Sequence, residues 1–195
     1  MHVRRHGLTG TLLRYFGRLR SGGPWGIPAP DAIHYNPSRE DVFRKAIGEL
    51  GCLFALEGLA FKDYVFIDLG CGTGDVLAWA VKCSFSAVVG VEIDKKLAAA
   101  ALSNARDYIC LCADAGKYEF PPHPAAIYLY NPFQGKTMDR LIGNLERSLR
   151  EEPRDLWIVY VNPWEHRKFA RSQYLRTVAE NSDVLDWEFC IFRSR

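Results

Sequence analysis

The sequence predicts an α/β domain with a mainly parallel seven-stranded sheet and an antiparallel hairpin at its C-terminal end. Three observations carry that expectation. Strand-like and helix-like segments alternate from residue 40 onward. The strand-like segments are near-continuous apolar runs, as strands buried on both faces must be. The first of them runs into a glycine-rich turn that opens a helix.

Each element follows from local pattern. Asp41–Leu56 has helical apolar spacing, with Ser38 as the expected N-cap. Tyr64–Leu69 (YVFIDL) is the first strand, and Asp75–Lys82 the helix after the glycine turn. Ala87–Ile93 (AVVGVEI), an Ala-rich helix Lys95–Arg106 and the strand Tyr108–Ala113 come next. A Pro-rich link leads to the strand Ala125–Asn131, the helix Lys136–Glu151 and the strand Asp155–Asn162. Tyr174–Glu180 and Trp187–Phe192 read as two strands joined by a turn-like NSDVLD. Right-handed crossovers place the C-terminal ends of the parallel strands on one edge, where such sheets bind ligands.

Composition narrows the function. With 48% hydrophobic and 25% charged residues, the chain matches an ordinary globular protein. No apolar run is long enough to span a membrane. The six cysteines (52, 71, 83, 110, 112 and 190) show no C-x-x-C and no paired Cys/His spacing. They read as buried free thiols of a cytoplasmic protein, and no metal site is expected. Charge divides the chain. Residues 1–30 carry five arginines and no acid, whereas residues 31–195 sum to −3. We therefore expect a basic, partly helical arm over 1–30 and a single domain over 31–195. The arm's arginines either face water or offer a route to nucleic acid or another anionic surface. Its Arg14 and Arg18 interrupt the apolar run that a secretory signal would need.

The chemistry concentrates in FIDLGCGTGD, Phe66–Asp75. Gly70, Gly72 and Gly74 follow a strand and precede a helix, the setting of a nucleotide-binding turn. A dinucleotide fingerprint fits poorly, because Asp75 stands where its third glycine belongs. Asp68 and Asp75 also flank a helix start that a pyrophosphate would want free of carboxylates. The turn suits a ligand with positive or neutral groups instead.

This segment resembles motif I of the class I S-adenosylmethionine-dependent methyltransferases, which implies their Rossmann-like sandwich. The resemblance implies that Gly70, Gly72 and Gly74, with Cys71, form the floor beneath the cofactor, and that Asp68 lies near its amino-acid end. It puts Glu92, followed by Ile93, on the ribose hydroxyls, with Asp94 in reserve, and Asp114 and Ala115 at the adenine. HYNPSREDVF at 34–43, together with YLYNPF and YVNP, is similar to a group of small prokaryotic methyltransferases. There a Tyr before the first helix closes over the cofactor, which nominates Tyr35. Asn131-Pro132-Phe133 resembles the Asp/Asn/Ser-Pro-Pro-aromatic motif of amino-group methyltransferases, with one Pro in place of two. By that likeness Asn131 positions the acceptor and Phe133 walls its pocket, while Asn162-Pro163-Trp164 could form the opposite wall. Asn131 also borders the cofactor.

The expected reaction is in-line methyl transfer from S-adenosyl-L-methionine to an N- or O-nucleophile. The acceptor is expected to be a small molecule or a protein, with the basic arm as the route to nucleic acid. A binding subunit without catalysis and an NAD-dependent oxidoreductase are the alternatives. His34, His123 and His166 are the histidines available as bases.

Overall fold

The computed structural model describes residues 37–105, 107–181 and 188–195. The arm 1–30, His34, Tyr35 and most of the NSDVLD turn lie outside the described residues.

Seven strands form one sheet: β1 Val65–Leu69, β2 Ala87–Glu92, β3 Ile109–Cys112, β4 Ala125–Tyr130, β5 Leu156–Val161, β6 Leu175–Asn181 and β7 Phe189–Ser194. Their order is β3-β2-β1-β4-β5-β7-β6. The first five are parallel, whereas β7 runs antiparallel between β5 and β6. The expected hairpin is thus present and joins the sheet through its second strand. β1, β2, β4 and β5 carry no polar residue until their C-terminal ends, apart from buried tyrosines and Trp157. That is what burial on both faces requires.

Among the described residues five helices cover the sheet: α1 Glu40–Leu56, α2 Asp75–Val81, α3 Lys95–Asn104, α4 Gly135–Glu151 and the short α5 His166–Ala170. Phe43, Leu50, Leu77 and Ala101 of α1 to α3 pack on Phe66, Tyr128 and Trp157 of one sheet face. Met138, Leu141, Leu145 and Leu149 of α4 pack with Phe169 of α5 on Ile67, Val89, Ile127 and Ile158 of the other. The spacing of the α4 residues, i, i+3, i+7 and i+11, is the stripe that one buried helix face demands. No described helix is long and apolar enough to cross a membrane.

Two local expectations need correction, and one short helix was not foreseen. The N-cap of α1 is Arg39, without a side-chain cap bond; Ser38 does not cap it. Arg39 instead forms an ion pair with Asp41. α5 has only five residues and gave no periodic signal. Cys52 is exposed, unlike its buried counterparts Cys71, Cys110 and Cys190.

Candidate active site

The glycine turn leaves β1 at Leu69 and re-enters helix at Asp75. Gly70, Gly72 and Gly74 take φ of 86°, 54° and 89°, a region that side chains with a Cβ disfavour. What crowds these glycines is the protein itself. A Cβ on Gly70 would sit 2.4 Å from the Cβ of Pro132. One on Gly74 would sit 2.9 Å from the Tyr108 hydroxyl. Pro132 therefore braces the turn from the end of β4, which makes the Asn-Pro-Phe segment and the glycine turn one structure.

Four backbone donors of the turn, those of Gly70, Cys71, Gly72 and Gly74, are already engaged. Gly70 and Cys71 N–H groups both reach Val91 O, at 2.7 and 3.2 Å. Gly74 N–H donates to Cys71 O at 2.9 Å. Gly72 N–H donates to Glu92 Oε2 at 2.9 Å. A pyrophosphate cradle needs these same donors free. The dinucleotide reading loses its chemistry here.

Carboxylates take the place of phosphate donors. Asp68, 2% exposed, pairs in register with Gly90 on one side and Tyr128 on the other. Burial, and then the charge of Glu92, push its carboxyl well above the ordinary value. Glu92 is also buried, and its Oε1 accepts the Asp94 N–H at 2.8 Å. Each Glu92 oxygen keeps a further lone pair for a ligand hydroxyl. Among the described residues no ion pair reaches Asp68 or Glu92. Two buried acids thus meet at this edge of the sheet without a cationic side chain paired to either among the described residues.

At the C-terminal ends of β1, β2 and β3 lies a cleft lined by Gly70, Val91, Glu92, Ile93, Ala113, Asp114, Ala115, Phe133 and Thr137. It brings together Gly70, Glu92, Ile93, Asp114, Ala115 and Phe133 of the residues expected from sequence. Val91, Ala113 and Thr137 complete the lining, and nothing in the sequence marks them, since a Val or Ala in a wall carries no chemical signal of its own. Asp114 holds the following turn by accepting the Gly116 N–H at 2.8 Å. Cys71 lies away from the cleft lining, its Sγ 3.8 Å from that of Cys110. This contact and burial push its thiol up, so it stays protonated. Asp94 is a helix cap: its Oδ1 accepts from Lys96 and Leu97 N–H groups at 2.7 and 3.0 Å.

The two Asn-Pro segments share a conformation. Asn131 and Asn162 end β4 and β5 with φ of 39° and 49°, in the left-handed region where Asn is the best tolerated residue after Gly. Turn geometry accounts for both asparagines. Their side chains then diverge. Buried Asn131 presents Oδ1 to the Tyr160 hydroxyl at 3.4 Å. Asn162 Oδ1 accepts the Trp164 indole N–H at 2.8 Å. Burial raises the Tyr160 pKa to about 12, so its hydroxyl remains a donor. Glu165 N–H reaches that same hydroxyl at 3.4 Å, and Glu165 Oε1 accepts the Gly135 N–H that opens α4 at 3.3 Å. Lys168 Nζ completes the stitch, 2.9 Å from Glu165 and 3.2 Å from Gly135 O. Tyr160, Glu165 and Lys168 were missed from sequence because they act through contacts 29 to 33 residues apart.

Residues 67–151 match the family model described as a methyltransferase domain. Over 54 residues the chain is 39% identical to a ribosomal protein L11 methyltransferase of Colwellia psychrerythraea, a match covering 28% of this chain. It spans only 18% of that relative's length. The likeness in fold extends beyond the matched segment. A putative methyltransferase, yhhF, of Escherichia coli superposes with a TM-score of 0.59 at 14% identity, over 87% of this chain and 91% of that one. The magnesium protoporphyrin IX methyltransferase of Synechocystis, solved with bound S-adenosylmethionine, superposes at 0.54 with 13% identity, over 83% and 88%. Among the described residues no group of His, Cys, Asp and Glu is placed to hold a metal.

Proposed function

We propose that this chain binds S-adenosyl-L-methionine at the C-terminal ends of β1 to β3 and transfers its methyl group to a nitrogen or oxygen nucleophile held at the ends of β4 and β5. The observation that carries this reading is the pairing of a phosphate-incompetent glycine turn with two buried, uncompensated carboxylates. The cofactor supplies a methyl group on a cationic sulfonium, beside a cationic amine. Asp68 answers that charge, and Glu92 accepts the ribose hydroxyls while it holds Gly72. The apolar walls Val91, Ile93, Ala113 and Ala115 suit a flat purine, with Asp114 at its polar edge.

On the acceptor side, Asn131 Oδ1 accepts a proton donor of the nucleophile and so turns its lone pair toward the methyl donor. Tyr160 fixes the Asn131 amide, and Phe133 closes the wall between the two halves of the cleft. Excluding water and aligning the partners is the main contribution such a site can make. Isothermal titration with S-adenosylmethionine, S-adenosylhomocysteine and NAD tests the reading. Both sulfur compounds should bind, and NAD should not. NAD binding without the other two would overturn it.

A further inference from the structure

Trp164 is the one exposed aromatic side chain among the described residues, 67% accessible. It stands two residues beyond the left-handed Asn162, as Phe133 stands two beyond Asn131. Its position is held from two sides. Trp164 N–H donates to Asn162 O at 3.0 Å and its indole N–H to Asn162 Oδ1 at 2.8 Å. The polar edge of the ring is thereby satisfied within the protein, and a fixed aromatic face is left to solvent. The adjoining Glu165 and Lys168 tie this turn to Gly135, just past the Asn131-Pro132-Phe133 segment. An exposed aromatic with its donor already engaged is not explained by packing.

Charge in the two segments that follow β4 and β5 runs against the rest of the domain. Segments 131–140 and 162–171 carry Lys136, Arg140, Arg167, Lys168 and Arg171 against two acids, a net of +3, whereas residues 31–195 as a whole sum to −3. Those two acids, Asp139 and Glu165, are both held by Lys168 at 2.7 and 2.9 Å. Arg167 on α5 and Arg171 at its C-cap are exposed and follow the Trp164 turn by three and seven residues.

From this juxtaposition we infer that the methyl acceptor is a single-stranded nucleic acid, with a base stacked on Trp164 and its phosphates beside Arg167 and Arg171. This rests on the reading of the β4 and β5 ends as the acceptor side. A rigid aromatic face with flanking cations is what an unpaired strand requires, because every base offers a π-face and every nucleotide a negative charge. An acidic peptide would use the cations and leave the ring idle.

The test uses the full chain and fluorescein-labelled single-stranded RNA and DNA of about a dozen nucleotides, read by anisotropy. Trp164→Ala should weaken binding about tenfold, and Trp164→Phe should stay within about threefold of wild type. The paired change Arg167→Gln with Arg171→Gln should lower the slope of log affinity against log salt by about 1.4. S-adenosylhomocysteine binding should be unchanged in all three variants, so a failed cofactor reading shows separately as wild-type protein that does not bind it. Preference for RNA or for DNA names the strand. No binding, or binding unaffected by Trp164→Ala as attachment through the basic arm alone would give, overturns the inference. So does displacement by poly-glutamate as effective as displacement by unlabelled oligonucleotide.

Discussion

Replacing Gly70 by Ala would strike the joint between the cofactor turn and the acceptor loop. Gly70 holds φ at 86°, and a new Cβ would meet Pro132 Cβ at 2.4 Å. A left-handed residue with a Cβ costs about 1–2 kcal/mol. The contact itself cannot persist, so the turn or the 131–133 segment must move, and overpacking of this kind costs about 1–3 kcal/mol more. The sum, about 2–5 kcal/mol, is a large fraction of the roughly 5–15 kcal/mol that stabilises a domain. Urea denaturation followed by circular dichroism should show a midpoint lower by about 1–2 M, with little change in slope. Gly143→Ala is the control. It lies exposed in α4 with nothing within 4 Å of its would-be Cβ, and should gain about 0.5–1 kcal/mol. A Gly70→Ala protein that unfolds at the wild-type midpoint and binds S-adenosylhomocysteine normally would refute the bracing of the turn by Pro132.

Two further changes separate the halves of the site. The Asp68 carboxyl is held well above its ordinary value by burial and by Glu92. Such an acid favours the native state below its unfolded pKa, and that contribution is lost as pH rises through the folded pKa. Asp68→Asn should therefore melt higher than wild type at about pH 8, converge with it in acid, and bind S-adenosylmethionine more weakly; thermal scans across pH with parallel calorimetry read all three. Tyr160→Phe removes the hydroxyl that meets Asn131 Oδ1 and Glu165 N–H. It should cost about 1 kcal/mol in urea unfolding while S-adenosylhomocysteine affinity stays within about twofold, because the contact lies on the acceptor side.

The parts of the fold set by local pattern were legible from the chain. Apolar runs such as YVFIDL and AVVGVEI are buried strands wherever they occur, and alternation with helices then leaves few topologies. Strand ends drifted by one or two residues, since the last residue of a ladder is fixed by its neighbour. Glu92 was legible because its spacing from the glycine turn is a chemical requirement. Asp94 was not separable from it, because a helix cap and a ligand contact call for the same residue type. The repeated Asn-Pro had a local cause, the left-handed asparagine, and a different use at each copy. One faces Tyr160 and the other fixes Trp164, and nothing local to either string distinguishes them. The roles of Tyr160 and Glu165 depend on the pairing of β4 with β5 and on the packing of α5 against α4, which only the folded chain brings about.

The central claim is that a cationic nucleoside, and no phosphate, occupies the turn between β1 and α2. Titration of Glu92→Ala with S-adenosylhomocysteine, beside wild type and with its folding checked by circular dichroism, tests it most directly. Loss of the hydroxyl contacts and of the Gly72 anchor, each a hydrogen bond to a charged group, should weaken binding about 100-fold or more. A folded Glu92→Ala protein that binds S-adenosylhomocysteine as tightly as wild type would contradict the account.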